Sequence, residues 1–365
     1  MRILIPNLGS TSLKYRIYDM PAGRSIASGR MERVADYREA IAGIRTSDVP
    51  VNAVAFKAVL AGERYRGTFL IDAELEAALE EFLPASPVHN AIYLAAIRAF
   101  RQGMPGVPLV AAFEPEFHRT MPEYAARYGV PAAWRTQYGV RRYGFHGASH
   151  EYASGRVPEI LGVPKQGLRL VNCHLGGSSS MCAIRDGRSI DTTMGFSPQS
   201  GLENATRHGE LDAFVVLYMM DRTGWSTEEI RRQLAGEGGL AGLSGIPGGD
   251  VRDIEKAAAA GNQDAQLALD VFAYQVKKNI GAFAAAMGGL DAISFTGGIG
   301  ENSASLRERC LAGLEFLGVK LSEEANRTGS GDRIVSAPDS KVAVAVFTAN
   351  EEIVVARRAY RLLAG

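Results

Sequence analysis

The sequence predicts an α/β fold of two related domains, and three observations carry that prediction. An apolar run, Ile3-Leu4-Ile5, leads into the Gly/Ser-rich stretch Asn7-Leu8-Gly9-Ser10-Thr11-Ser12-Leu13-Lys14 and on to alternating Lys14-Tyr15-Arg16-Ile17-Tyr18, the pattern of two antiparallel strands joined by a turn. The pattern recurs at His174-Leu175-Gly176-Gly177-Ser178-Ser179-Ser180, between the apolar segments 168–173 and 181–187. In both halves strands come first and helix-like segments follow, which indicates α/β layers. Each turn gathers backbone amides and hydroxyls, the first with a lysine as well, where a nucleotide's terminal phosphate can sit. Their repetition points to a duplicated domain with nucleotide between the copies, and to phosphoryl transfer.

The elements follow from residue spacing. Apolar or alternating runs predict strands at 3–5, 14–18, 53–59, 109–113, 168–172, 181–185, 188–193, 292–295 and 342–347. Apolar residues three and four apart predict helices over 73–81, 91–101, 123–128, 211–222, 226–233, 250–259, 265–287, 303–317 and 351–363, several of them alanine-rich. The Glu114-Pro115 break places a domain boundary near 117–128, and the last helix is expected to fold back on the first domain. A third glycine cluster, Thr296-Gly297-Gly298-Ile299-Gly300-Glu301-Asn302, follows a short strand and is expected to be a turn that opens a helix at Ser303, its glycines letting backbone approach a flat ligand closely.

Composition narrows the partners. At 365 residues and 46% hydrophobic, the chain can bury two ordinary cores. Forty basic residues balance forty acidic ones without long like-charge blocks, which argues against nucleic acid or a membrane surface and for a small-molecule ligand. No apolar stretch approaches bilayer length and the first residues form a strand, so a cytoplasmic protein is expected. The three cysteines, Cys173, Cys182 and Cys310, lack metal spacing and read as reduced, buried thiols. His146 and His150 lie four apart, but no neighbouring Cys, His or carboxylate completes a zinc set. His118 and His89 read as structural hydrogen-bonding residues.

Further motifs are Tyr143-Gly144-Phe145-His146-Gly147-Ala148-Ser149-His150, Met194-Gly195-Phe196-Ser197-Pro198, Thr206-Arg207-x-Gly209 and Asn350-Glu351-Glu352. With N-x-G-S-x-S-x-K at 7–14, and in unbroken order, they resemble the acetate kinase family. The resemblance implies actin-like ATPase (ribonuclease H-like) domains closing over ATP in an inter-domain cleft, residues 1–117 with 354–365 as the first and 118–353 as the second, usually in a homodimer. It implies ATP-dependent phosphorylation of a short-chain carboxylate, acetate to acetyl phosphate, by direct in-line transfer with Mg²⁺. Arg207 and His146 would then stabilise the moving phosphoryl group, with Glu114 at the catalytic aspartate position and Asn7 and Glu351 helping to hold Mg²⁺. Ser10, Ser12 and Lys14 would contact nucleotide phosphates, and His174, Gly176, Gly177 and Ser178 would form the second phosphate loop. Asp250, Val251 and Arg252 would meet adenosine, while Gly298, Ile299, Gly300 and Asn302 line the adenine and ribose site. Val59, Val88, Phe145 and Pro198 would form the acyl pocket, although by composition alone they are core residues.

The chemistry is consistent with that set. A carboxylate acceptor is already ionised and needs no general base, so the barrier is its approach to an anionic γ-phosphate. Cations and amides must converge there, and Arg207, His146 and Lys14 are the cationic candidates.

Departures fall at chemical positions. Lys57 stands where the family has a substrate-binding arginine, replacing a two-pronged fork with a compact charge on a flexible stem. Glu114 reaches one methylene further than the family's aspartate, and longer Glu114 with Lys57 is expected to keep the charge pattern at a different reach. Gly177 removes an asparagine from the second phosphate loop, Glu203 and Asn204 bring polar groups near Arg207, and the segment 20–53 is shorter by about thirty residues. These leave two alternatives: a kinase for propionate or another short acid, and a catalytically weakened nucleotide-binding homologue.

Overall fold

The computed structural model describes residues 1–8, 12–32, 41, 44, 49–84 and 87–365, the side chains of 32 and 87–89 excepted. Strands β1 (Arg2–Leu8) and β2 (Ser12–Asp19) pair antiparallel with Asn7 opposite Lys14, so the first Gly/Ser stretch joins a hairpin. Ser10 lies outside the described residues. β3 (Arg24–Glu32) adds antiparallel to β2, β4 (Ala53–Ala58) and β6 (Leu109–Phe113) run parallel to β1, and β5 (Thr68–Leu70) closes the far edge antiparallel to β6. The order is β3-β2-β1-β4-β6-β5.

The second half repeats this topology strand for strand. β7 (Arg169–His174), β8 (Ser180–Arg185) and β9 (Arg188–Thr192) form the antiparallel meander, β10 (Ala292–Thr296) and β12 (Ala343–Val346) run parallel to β7, and β11 (Arg333–Ile334) is the antiparallel edge. Its order, β9-β8-β7-β10-β12-β11, is the same sequence of roles, so the two Gly/Ser turns occupy equivalent hairpins.

Helices cover both faces of each sheet. The helices Ala73–Glu81 and Pro87–Gly103 pack on one face of the first sheet through Leu75, Leu79, Ile97 and Phe100, against Val54, Phe56 and Ala111. The C-terminal helix, Glu351–Ala364, covers the other face through Ile353, Val354, Val355, Ala356 and Ala359, against Ile3, Ile5, Ala55 and Ala112. On the second sheet the helix Gln263–Met287 buries Leu269, Phe272, Val276, Ile280 and Phe283 at three and four spacing, against Val171, Ile293 and Phe295. Asn262 caps its first turn by accepting from the Ala265 amide at 3.0 Å, and Gly288 in the left-handed conformation ends it.

Several elements depart from the sequence expectation. The helix Gly147–Leu161 departs from the expectation because most of its buried stripe, including Ala148, Ser149, His150, Ala153 and Ser154 beside Val157, is small or polar and carries little apolar periodicity. Edge strands β3 and β5 bury few side chains and so lack alternation. The glycine cluster is itself a helix, Gly297–Asn302, and Ser303 caps the next, Ala304–Leu311, by accepting from the Leu306 amide. The expected helix over 123–128 stops at Ala126, and a separate one spans Ala132–Tyr138. All three cysteines are free and buried, as their spacing suggested.

Candidate active site

Parallel strands deliver side chains to the edge where their C-terminal ends lie, and three carriers of charge meet there. Lys57 projects from β4, Glu114 follows β6 directly, and Glu351 opens the C-terminal helix, where its carboxylate suits the positive end of the helix dipole. The Lys57 ammonium lies 2.5 Å from Glu351 Oε2 and 3.4 Å from Glu114 Oε1. Burial works against the charge on Lys57, yet Glu351 and Glu114 carry its pKa well above the ordinary value. Burial likewise raises Glu114, against the pull of Lys57, whereas Lys57 and His174 overcome burial to hold Glu351 below the usual carboxylate range.

His146 reaches the same point from the second half. It sits in the left-handed conformation (φ 53°) immediately before the helix Gly147–Leu161, and a Cβ on Gly147 would lie 1.9 Å from the Glu114 carbonyl oxygen. Only glycine permits that approach, which also lets Glu114 accept from the Ala148 amide at 3.4 Å. His146 stacks on His174 with ring centres 4.3 Å apart, and His174 Nδ1 lies 2.8 Å from Ser149 Oγ and 3.9 Å from Glu351 Oε1. Burial, then the neighbours His174, His150, Lys57 and Arg207, push the His146 pKa well below 6.5. That direction runs against the expected cationic His146 and favours the neutral imidazole, with Lys57 and Arg207 as the cations near it.

Two cavities lie here, one at this cluster and one at the β7–β8 turn after His174. One of about 490 Å³ is lined by Asn7, Arg16, Lys57, Tyr93, Asn350 and Glu351, among others. The other, about 540 Å³, is lined by Gly176, Gly177, Asp250, Val251, Arg252, Gly298, Ile299 and Asn302, which brings together most of the residues expected at a nucleotide. The segment 348–351 lines the first cavity and is tied to the third glycine cluster: Thr348 Oγ1 donates to Glu301 at 2.6 Å, and the Ala349 amide donates to Thr296 Oγ1 at 3.1 Å. Gly297 (φ +80°) packs the third cluster on the second loop, since a Cβ there would meet the Leu175 carbonyl oxygen at 2.6 Å. Gly300 is buried against Phe295 and outside the cavity lining, and Ser178 is half-buried in the β7–β8 turn.

Arg207 is half-buried, donates to the Pro198 carbonyl at 2.7 Å and, lowered by burial only to about 10, stays charged at neutral pH. Val59 and Phe145 are buried in the core of the first half, with Met194 beside them. The Val88 side chain lies outside the described residues. Ser12 is half-buried on β2, and Lys14 is exposed with its charge in range of Glu352. Asn204 does not present its amide to an acyl site: it is buried and accepts from the Ser179 amide at 2.6 Å, bracing the second phosphate loop. His118 is structural, its ring nitrogens 2.9 Å from Ser189 Oγ and 3.0 Å from the Phe145 carbonyl. Among the described residues no three His, Cys, Asp or Glu side chains form a metal cage. Glu351 with Asn7 offers the sparse oxygen set that suits Mg²⁺ arriving on nucleotide phosphates.

The model of the acetokinase family matches residues 38–357. The chain belongs to that family. Acetate kinases of Thermoanaerobacter pseudethanolicus and Methanosarcina acetivorans are 42% and 39% identical to it, covering 100% and 98% of this chain and 100% and 96% of their own. The crystal structure of Porphyromonas gingivalis acetate kinase superposes with a TM-score of 0.88 at 34% identity, covering 99% of both chains. That of a propionate kinase from Francisella tularensis gives 0.89 at 30%, covering 98% of both. In this acetokinase Lys57 and the buried Glu114 form an ion pair at the end of the first sheet. Sequence reasoning missed Ser149 and Ser180, whose hydroxyls hold the two stacked histidines; Ser180 was visible only as the last serine of the second loop.

Proposed function

We propose that this acetokinase transfers the γ-phosphoryl group of ATP to acetate, forming acetyl phosphate and ADP by direct in-line displacement. The observation that carries the reading is the meeting of Lys57, Glu114 and Glu351 from the first sheet with His146 and His174 from the second, beside a cavity walled by both glycine clusters. The acceptor carboxylate oxygen attacks phosphorus as the bond to the ADP oxygen breaks, and no proton has to move. Arg207 would offset charge on the transferred group, His146 would donate a hydrogen bond to it, and Lys57 and Glu114 would fix the electrostatics around the acceptor. Val59, Val88, Phe145 and Pro198 would shape the acyl pocket. Gly176, Gly177, Ser178, Gly298, Ile299 and Asn302 would hold the nucleotide with Ser10, Ser12, Lys14, Asp250, Val251 and Arg252, Gly300 packing beneath them. Asn7 and Glu351 would hold Mg²⁺, which supplies charge neutralisation on the phosphate oxygens when bound.

The working units are 1–117 with 354–365 and 118–353, closing on the nucleotide. The chain also acts as a homodimer in the cytoplasm: the helix Ala213–Thr223 buries none of its own side chains and leaves Phe214 75% and Tyr218 60% exposed, an apolar face that a second copy would cover. No described helix is long and apolar enough to cross a membrane. Trapping acyl phosphates as hydroxamates with acetate, propionate and butyrate tests the reading. Acetate is expected to give the highest kcat/KM; faster reaction with propionate would reassign the acceptor, and ATP binding without any acyl phosphate would leave a nucleotide-binding homologue.

A further inference from the structure

His146 is the end of a buried hydrogen-bonded chain that crosses the second sheet. Ser294 Oγ on β10 donates to Asn172 Oδ1 on β7 at 2.7 Å, and Asn172 Nδ2 lies 2.9 Å from His150 Nδ1. His150 Nε2 lies 2.9 Å from Ser180 Oγ, and Ser180 Oγ lies 2.8 Å from His146 Nδ1. Ser294, Asn172, His150 and Ser180 are all fully buried, so no solvent supplies an alternative partner.

The donor inventory gives the chain a direction. An amide nitrogen can only donate, so His150 Nδ1 accepts and its single proton sits on Nε2, donated to Ser180. Ser180 Oγ, having accepted, keeps one hydroxyl proton, and His146 Nδ1 is the acceptor within reach. Were His146 protonated on Nδ1 instead, the Ser180 proton would be buried without a partner, at a cost of about 1–3 kcal/mol. We infer that Ser294, Asn172, His150 and Ser180 are positioning residues that fix His146 as the Nε2–H tautomer, so that it offers an N–H donor, not a base, to the transferring phosphoryl oxygens. This deepens the proposed function, on which its catalytic meaning rests. A carboxylate acceptor has no proton to lose, so a donor is what the reaction can use at this place.

Long-range ¹⁵N–¹H spectra of the full-length protein with ¹⁵N-histidine test the inference without reference to turnover. The His146 signals, identified by their loss in His146→Gln, are expected to show a protonated Nε2 and a bare Nδ1 near neutral pH. A protonated Nδ1 with bare Nε2, or an imidazolium, would overturn it, because the first requires the Asn172 amide turned over and the chain reversed. The nearly isosteric Asn172→Asp replaces the donor at His150 by an acceptor, and is expected to move the His150 proton to Nδ1 and reverse the tautomer of His146. It should lower kcat about 100-fold while KM for ATP changes less than about threefold; a reversed tautomer with kcat unchanged would remove its catalytic meaning. If Asn172→Asp fails to fold, the wild-type spectrum alone decides the tautomer. A wild-type protein with the expected tautomer but no acyl phosphate product would count against the proposed function and leave the hydrogen-bonded chain standing.

Discussion

Lys57 is bound to two carboxylates at once, and its replacement therefore affects stability as well as catalysis. With Glu114 only 4% exposed, Lys57→Met leaves a buried charge without its cation, for which roughly 3 kcal/mol of destabilisation is expected in urea titrations. Arginine at 57 keeps the charge but brings a longer, planar head against a glutamate that reaches one methylene further than aspartate would. Lys57→Arg and Glu114→Asp are accordingly expected to couple: each alone lowers kcat/KM for acetate, and the double variant recovers part of the loss. Free energies that simply add would show the two residues to be independent. The sequence exposed the two substitutions but not their contact, because residues 57 and 114 are brought together by the β4–β6 pairing.

At the scale of elements, the approach of the helix Gly147–Leu161 to the end of β6 decides whether Glu114 and His146 share a site. Gly147→Ala would place a methyl 1.9 Å from backbone, forcing the helix start to move. A destabilisation of about 1–3 kcal/mol is expected, read as a lower Tm, together with loss of acyl phosphate formation at temperatures where the variant stays folded. Unchanged activity would separate the helix start from the chemistry. Both hairpins were legible because Gly/Ser turns between alternating runs have few other readings, and so were the long helices 263–287 and 351–364, whose apolar spacing is regular. The helix that presents His146 was not, since its buried face is small and polar and gains its burial from the neighbouring sheet. The charge shift was illegible for a related reason: residue type does not show that His146 is buried among other basic groups, which disfavours its cationic form.

For the molecule as a whole, buried histidines make stability depend on pH. Burial lowers His118 from 6.5 to about 4, and His146, His150, His174 and His208 shift in the same direction. The unfolded chain takes up these protons below about 6.5 while the folded chain resists, so the stability is complete above that pH and is lost as pH falls towards 4. His118 alone accounts for about 1.4 kcal/mol per pH unit in that window, or about 2 kcal/mol between pH 6.5 and 5. Glu114, raised by burial, opposes the trend lower in the range. Urea midpoints measured at pH 7.5 and 5.0 should fall accordingly, and His118→Gln should flatten the slope by about one proton; a flat profile in the wild type would mean these rings are protonated in the folded state.

If side chains from both repeated sheets act on one phosphoryl group in transit to acetate, single-turnover transfer from γ-³²P-labelled ATP with excess enzyme reveals it. Label should pass from ATP to acetyl phosphate only when acetate is present, and Arg207→Ala and His146→Ala should each slow that step about 10²–10³-fold while ATP still binds. Label released as inorganic phosphate at the same rate with or without acetate, or transfer unaffected by either substitution, would contradict the account.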